Sequence, residues 1–190
     1  APSHAADIFA TWATPTTGTL NGVNFTVTGF TGFPSLFSAN LSGANYSAAP
    51  GSASQQSVSY AVSNNWTISF ASPISNLNLY GIFWRGTGAS SGGGGVTTSY
   101  TFNQPITIAS GMAGATAVGN LLTMPGNAFQ NGILNFGAPV TTLSVTTNAD
   151  SPSGQVLTLS TTVVSSAPEP GTLALLALGG VAVWVKRRRS

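Results

Sequence analysis

The stretch GTLNGVNFTV, residues Gly18 to Val27, is the clearest indication of the fold class of this chain. Its centre is Asn21-Gly22, the kind of dipeptide that most strongly favours a two-residue hairpin turn, because both residues adopt a positive φ at little cost. After the turn, apolar and polar side chains alternate, as they do in a strand that buries one face. The stretch therefore predicts an antiparallel β-hairpin.

The rest of the body, residues 1–164, repeats this pattern. Short runs rich in Val, Ile, Thr, Phe and Tyr are interrupted by turn residues about every eight to twelve positions, which is typical of an antiparallel sandwich or barrel. A second hairpin is predicted between SVSYAV (57–62) and WTISF (66–70), because a Ser-Asn-Asn segment separates the two runs. We therefore expect an all-β fold, an antiparallel, jelly-roll-like β-sandwich.

One proline-containing pattern recurs along the body. The pattern F-x-x-P-[IV]-x-x-L-x-[LV] occurs at residues 70–79 and 136–145, and residues 102–106 repeat its first half. We interpret each copy as the end of a strand, a proline that stops the sheet ladder, and the start of a new strand. The Gly- and Ala-rich segment Ser110–Gly119 predicts a long connection or a short helix.

The body carries almost no charge. Charged residues make up 4% of the chain, and Asp7, Arg85 and Asp150 are the only ones before residue 168, which leaves one positive and two negative charges. Because a phosphate backbone is bound by clusters of Lys and Arg, we expect no nucleic-acid partner. Solubility must come from Ser, Thr, Asn, Gln and Gly, and the lack of cysteine leaves stability to the core alone.

Few residues of the body can carry chemistry. His4 is the only histidine and the chain has no cysteine, so nucleophile–base pairs and zinc sites cannot be assembled. We interpret Asp7 and Asp150 as two solvated loop residues; the alternative is a carboxylate pair, but nothing in the sequence places them together. Trp84 and Arg85 are the candidate ligand contact, because an exposed guanidinium beside an indole can stack or bind a carboxylate; the alternative is an edge residue at a strand end. We expect no enzyme, no catalytic residue, no metal and no cofactor.

Aromatic and glycine-rich segments admit two further functional interpretations. Trp12, Trp66 and Trp84 could stack on sugar rings, but tryptophans in strand-like surroundings favour core positions. The run GTGASSGGGG, residues 86–95, is predicted to be a flexible loop. A phosphate-binding loop would need a helix start and a following lysine, and neither is present there.

The C-terminal segment has a different composition from the body. Pro168-Glu169-Pro170 precedes the uncharged run GTLALLALGGVAVWV (171–185), and Lys186 to Arg189 follow it, so that four of the five Lys and Arg residues of the chain lie here. Apolar residues followed by cations predict a membrane-spanning helix whose basic end stays in the cytoplasm. Its length is about 22 Å, against a hydrocarbon core of roughly 30 Å, so snorkelling or local thinning of the bilayer is expected.

A PEP triplet, a short apolar helix and an Arg-rich end, in this order, resemble the PEP-CTERM sorting signal. Proteins with this signal are exported by Gram-negative bacteria that make extracellular polysaccharide, and a membrane protease, the exosortase, is thought to cut near the triplet. The resemblance implies that Pro168, Glu169 and Pro170 are the recognition triplet. By the positive-inside rule we expect the cytoplasmic anchor to be Lys186, Arg187, Arg188 and Arg189. The F-x-x-P-[VI] corners are also similar to those in the bodies of PEP-CTERM proteins. Because APSHAADIF lacks the regions of a signal peptide, we expect Ala1 to be the mature N-terminus.

These observations predict four segments: an extracytoplasmic β-sandwich (1–164), a linker with the PEP motif (165–170), a transmembrane helix (171–185) and a basic cytoplasmic tail (186–190). The first hypothesis is an exported, non-enzymatic structural or interaction protein of the membrane or cell surface, associated with extracellular polysaccharide. The alternative is an uncleaved, single-span accessory subunit whose β-domain caps the periplasmic face of a larger inner-membrane complex. The expected location is the inner membrane with the N-terminal domain in the periplasm, or the cell surface or matrix once the tail is processed.

Overall fold

A computed structural model describes residues 4–39, 41, 55–61, 65–85, 97–125, 129–147 and 154–165. Within these ranges all regular structure is β, and the strands are β1 His4–Phe9, β2 Thr11–Thr14, β3 Thr17–Leu20, β4 Val23–Thr28, β5 Thr31–Ala39, β6 Gln55–Ala61, β7 Asn65–Ile74, β8 Leu77–Arg85, β9 Thr98–Phe102, β10 Thr107–Gly111, β11 Thr116–Val118, β12 Leu121–Met124, β13 Phe129–Phe136, β14 Val140–Thr147 and β15 Gly154–Ser165. The chain divides into two units, residues 7–162 and residues 1–6 with 163–190. The architecture below is that of residues 7–162.

Two antiparallel sheets make up the fold, as the sequence predicts. The first sheet has the order β10-β13-β8-β15-β6-β5, with β1 also paired to β15, and the second has the order β11-β12-β9-β14-β7-β4-β3-β2. Strands β6, β7, β8 and β9 pair with β15, β14, β13 and β12 respectively, so the pairings are nested. Because successive members of the series alternate between sheets, the central strands follow the order of a double-sheet jelly roll.

The core lies between the two sheets. In the second sheet strands such as β4 and β7 alternate, so that one face contributes apolar side chains to this layer and the other faces outward. In the first sheet β8 and β15 are buried on both faces over residues 77–81 and 155–161. Trp12 is 2% exposed and packs edge-on against Phe25 with ring centroids 4.8 Å apart. Trp66 is 3% exposed, so the core interpretation of these two tryptophans is confirmed. A smaller apolar cluster, which includes Tyr80, Ile133 and Val156, forms separately.

One of the two predicted hairpins is confirmed and the other is wrong. Strands β3 and β4 pair around Asn21 and Gly22, whose φ values of 50° and 77° are those of a type I′ turn. Strands β6 and β7 do not pair with each other, because β6 belongs to the first sheet and β7 to the second. Val58 of β6 and Ile68 of β7 are both buried in the core. The apolar faces of the two strands therefore both point into the layer between the sheets.

The F-x-x-P-[IV] copies are corners at which the chain passes from one sheet to the other. In each copy the Phe and the Ile or Val are buried and the Pro is exposed: Phe70, Pro73 and Ile74; Phe102, Pro105 and Ile106; Phe136, Pro139 and Val140. In the second and third of these the strand ends at the Phe, as predicted. In the first copy the prediction is wrong, since β7 continues through the proline to Ile74. The register of β7 against β14 shifts at this point, which indicates a bulge. Residues in a bulge are not paired in the ladder, so the lack of an N–H in proline breaks no inter-strand hydrogen bond there.

The segment that was expected to be a connection or a short helix contains a strand, and two other predicted segments lie outside the described residues. The segment Ser110–Gly119 contains the short strand β11 instead of a helix, and β11 forms a tight hairpin with β12. Among the described residues there is no helix that is long and apolar enough to cross a bilayer. The predicted transmembrane helix at 171–185 and the Gly-rich run at 86–95 lie outside the described residues.

Candidate functional site

The sequence-predicted site residues fall largely outside the described part of the structure. Residues 166–190, which include the PEP triplet and the basic anchor, are not described, and neither is Asp150. The backbones of Trp84 and Arg85 lie in β8, opposite Gln130 and Phe129 of β13. Their side chains are outside the description, so the candidate ligand contact stays a prediction.

The carboxylate of Asp7 joins three strands, which corrects its interpretation as a solvated loop residue. Asp7 lies in β1, and its Oδ2 accepts hydrogen bonds from the Tyr80 hydroxyl at 2.5 Å and from Ser160 Oγ at 3.0 Å. Its Oδ1 accepts a third bond from Thr162 Oγ1 at 2.7 Å. We call these four residues the Asp7 clasp. The clasp ties β1 to β8 and to β15, the strand that precedes the C-terminal segment.

Two asparagines extend the clasp along the same face. Asn78 Nδ2 donates to Ser160 Oγ at 3.3 Å and to Thr162 Oγ1 at 3.0 Å. Asn135 Nδ2 in turn donates to Asn78 Oδ1 at 2.8 Å. The network therefore crosses β13, β8, β15 and β1, and it satisfies polar groups that would otherwise be buried without partners.

The Tyr80 hydroxyl holds its proton tightly in this setting. Tyr80 is 1% exposed, and its desolvation by burial raises the pKa of the phenol far above the ordinary value of 10.0. The hydrogen bond to Asp7 raises the pKa further, because it favours the protonated phenol, while a bond with Ser160 lowers it. Tyr80 therefore acts as a hydrogen-bond donor at neutral pH.

The chemistry of the Asp7 clasp is that of a structural cross-link. All three hydroxyls donate to the two oxygens of one carboxylate, and the donors come from β8 and β15 while the acceptor comes from β1. Within the described ranges no group of three or more His, Cys, Asp or Glu residues is placed to hold a metal ion. The sequence signal for the clasp is faint: Asn78 and Tyr80, like Ser160 and Thr162, are spaced by two and so share a strand face.

A second side-chain contact closes the edge of the second sheet at β2. Gln56 of β6 accepts a hydrogen bond from the Trp12 backbone N–H at 2.7 Å and donates one to the Trp12 carbonyl at 2.8 Å. The amide therefore takes the place of a neighbouring strand. The Trp12 indole N–H also reaches Thr158 Oγ1 at 3.4 Å. Because a free edge invites pairing with other chains, these bonds protect β2.

The outward face of the second sheet exposes two apolar side chains, Val118 and Leu121, at its β11–β12 end. The rest of the face is built mainly from short hydroxyl side chains and the amide of Asn24. We call this part the hydroxyl face; its members are Thr11, Thr14, Thr17, Thr19, Asn24, Thr26, Thr28, Thr67, Ser69, Thr101, Thr142, Ser144 and Thr146. Cross-strand register aligns Thr14, Thr17, Thr26, Ser69 and Thr142 in one row over five strands. All members of the face are uncharged.

The hydroxyl face is ordered by lateral hydrogen bonds. Thr14 Oγ1 and Thr17 Oγ1 are 2.7 Å apart, and Thr67 Oγ1 and Ser144 Oγ are 3.0 Å apart, so each pair shares a hydrogen bond across neighbouring strands. A hydroxyl can donate one bond and accept two, and these pairs therefore retain capacity toward solvent or a ligand.

A cleft of about 240 Å³ opens on the hydroxyl face between β4 and β7. Its lining includes the exposed side chains of Asn24, Thr26, Ser69 and Ala71. The depression follows from side-chain size, because β7 presents only a serine and an alanine beside the longer asparagine and threonine of β4. The bulge of β7 begins beside the cleft, where the register against β14 shifts.

Comparison with known proteins identifies the C-terminal segment. A family profile described as the PEP-CTERM protein-sorting motif matches residues 166–189. No curated protein and no solved structure matches the chain. The matched range contains the PEP triplet, the apolar run and the basic residues, which confirms the resemblance seen in the sequence. Such a motif indicates an exported protein that an exosortase sorts, with association to the membrane, and residues 166–189 of this chain are a PEP-CTERM protein-sorting motif.

Proposed function

We propose that the protein is a non-enzymatic structural or interaction protein of the cell surface, delivered there through its sorting motif. In this proposal residues 171–185 cross the inner membrane once, the β-sandwich lies in the periplasm, and Lys186 to Arg189 stay in the cytoplasm. Exosortase recognises Pro168-Glu169-Pro170 and releases the body to the surface or to the extracellular polysaccharide layer. The observation that carries the proposal is the sorting-motif match at residues 166–189.

The described body supports a structural role in two ways. Its one described carboxylate, Asp7, is engaged by three hydroxyls that hold strands together. The hydroxyl face of the second sheet presents short uncharged side chains aligned in rows, which suits broad contact with a neighbouring surface more than a small catalytic pocket. Both features are those of a rigid module that presents a face.

Intact mass and location in matched strains test the proposal. The wild-type protein and the triple variant Pro168→Ala, Glu169→Ala, Pro170→Ala would be produced in a host that contains an exosortase and in the same host without it. We expect the wild type to lose the mass of its C-terminal segment and leave the inner membrane only in the exosortase-positive host. The triple variant is expected to keep full mass and stay in the inner membrane in both hosts.

A body variant provides the matched control for this experiment. Ser38→Ala changes an exposed residue of β5 and should be processed like the wild type. Equal mass and location for the wild type and the triple variant in the exosortase-positive host would refute the proposal. Full-length protein that co-purifies with a large membrane complex in both hosts would instead favour the accessory-subunit alternative.

A further inference from the structure

We infer that the hydroxyl face binds neutral polysaccharide and that the cleft between β4 and β7 holds one segment of the polymer. The inference rests on the proposed function, because a protein delivered to the cell surface is one that meets such a polymer. It adds the place of binding and the charge class of the ligand. The occupant follows from three properties of the face: its regular rows, its cleft and its charge.

The rows of the hydroxyl face match the chemistry of a polyol. The row Thr14, Thr17, Thr26, Ser69 and Thr142 crosses five neighbouring strands, which are spaced about 4.7–4.9 Å apart in any sheet. A second row contains Thr28, Thr67 and Ser144. Hydroxyls on both partners can donate and accept, so an extended sugar chain can meet several side chains in more than one register.

The cleft gives the face a defined point of attachment. Asn24 and Thr26 of β4 line one side of the cleft, Ser69 and Ala71 of β7 line the other, and Phe25 and Phe70 complete the lining. The exposed amide of Asn24 supplies both a donor and an acceptor, which is the pairing that two adjacent sugar hydroxyls require. Thr26 and Ser69 belong to both the cleft and the five-strand row, so a polymer seated in the cleft also meets the row where the two cross.

Charge selects a neutral polymer over an acidic one. Every side chain of the hydroxyl face is uncharged, and the two formal charges within the described strands, Asp7 and Arg85, lie in strands of the first sheet. Acidic polymers are held by arrays of Lys and Arg and by release of their counter-ions. A neutral polymer relies instead on hydrogen bonds, so its binding should depend little on ionic strength.

Affinity electrophoresis of the full chain in detergent tests the inference. The gels would contain a neutral glucan, a neutral galactomannan, a polyuronate or a sulfated polysaccharide, each at low and high salt. We expect retardation by at least one neutral polymer at both salt concentrations. Asn24→Ala with Thr26→Val removes polar groups from the cleft, and Ala71→Gln fills it; each variant should bind about tenfold more weakly, since several weak hydrogen bonds are lost.

The double variant Ser35→Ala, Ser38→Ala is the matched control, because it removes two exposed hydroxyls from β5 of the first sheet. It should bind like the wild type, and unchanged thermal midpoints would show that all variants fold. Four outcomes would overturn the inference: no retardation by either neutral polymer, retardation by the acidic polymers only, cleft variants that bind like the wild type, or a self-association that the cleft variants abolish. The processing experiment does not involve these residues, so sorting can succeed where polymer binding fails.

Discussion

At the scale of single residues, the organising feature is one carboxylate in a body with almost no charge. A carboxylate that is removed from water loses its hydrogen bonds to the solvent. The hydroxyls of Tyr80, Ser160 and Thr162 replace those bonds at Asp7. Hydrogen bonds to a charged group are stronger than those between neutral groups, so Asp7 contributes more than an average polar contact. The clasp also explains why a strand near the start of the chain is held to one near its C-terminal segment.

Removal of the Asp7 carboxylate should destabilise the body. Asp7→Ala leaves three hydroxyl donors without their acceptor, and we expect the free energy of unfolding to fall by about 2–4 kcal/mol. Asp7→Asn keeps one accepting oxygen and should cost less. Urea unfolding followed by tryptophan fluorescence measures both changes. Ser38→Ala serves as the control, and an Asp7→Ala variant as stable as that control would show that the clasp has no stabilising role.

Tyr80 should make the protein sensitive to alkali. Its pKa is raised in the folded state, so above an unfolded value of about 10 the unfolded chain loses a proton that the folded chain keeps. The protonated Tyr80 phenol therefore makes its full contribution to the free energy of unfolding below about pH 10. That contribution is lost as pH rises from there toward the pKa of Tyr80 in the folded protein. Thermal midpoints between pH 8 and about 11 should fall more steeply in the wild type than in Tyr80→Phe. Parallel curves for the two proteins would contradict this assignment.

At the scale of elements, corners and turns decide how the strands are arranged. Each F-x-x-P-[IV] corner buries an aromatic and an aliphatic side chain and exposes a proline, so the chain crosses between sheets without losing core contacts. The Phe102 and Phe136 rings of two corners lie 5.6 Å apart in an edge-to-face arrangement. Ile74 and Val140 of two corners are paired across β7 and β14. Repeated corners thus meet in the core and support one another.

Two glycines with similar backbones should respond differently to substitution. Gly22 and Gly29 have φ values of +77° and +86°. A Cβ at Gly22 would meet nothing within 4 Å, whereas one at Gly29 would clash with the Asn65 carbonyl oxygen. Gly22→Ala should therefore cost only the left-handed conformation, about 1–2 kcal/mol. Gly29→Ala adds a backbone clash and should cost about 2 kcal/mol more. Equal losses in urea unfolding would mean that β4 and β7 separate easily at this point.

At the scale of the whole molecule, the body is a charge-poor sandwich joined in sequence to a segment rich in cations. Such a body repels copies of itself only weakly, and hydroxyls instead of charges keep its second sheet in water. Different physical interactions therefore govern the sorting motif and the body. The motif depends on apolar length and positive charge, while the body depends on alternating burial and hydrogen bonding.

The stability of the body should be nearly independent of salt. Ion pairs are screened between low and high ionic strength, but hydroxyl–carboxylate contacts and apolar burial are not weakened in that way. Between low and high NaCl we expect the thermal midpoint of the full chain in detergent to move by less than about 2 °C. A shift above about 5 °C would reveal an electrostatic contribution that the sequence composition does not suggest.

The all-β class, the hairpin at Asn21-Gly22 and the sorting motif at residues 166–189 could be predicted from the sequence alone. Turn chemistry, period-two alternation and an apolar run followed by cations are each encoded within a few neighbouring residues. The folded arrangement was needed to see that β6 and β7 lie in different sheets and that Asp7 contacts Tyr80, Ser160 and Thr162. Those partners are 73, 153 and 155 positions away from Asp7. Contacts over such separations depend on the pairing of whole strands and on the burial of their faces, which no local pattern specifies.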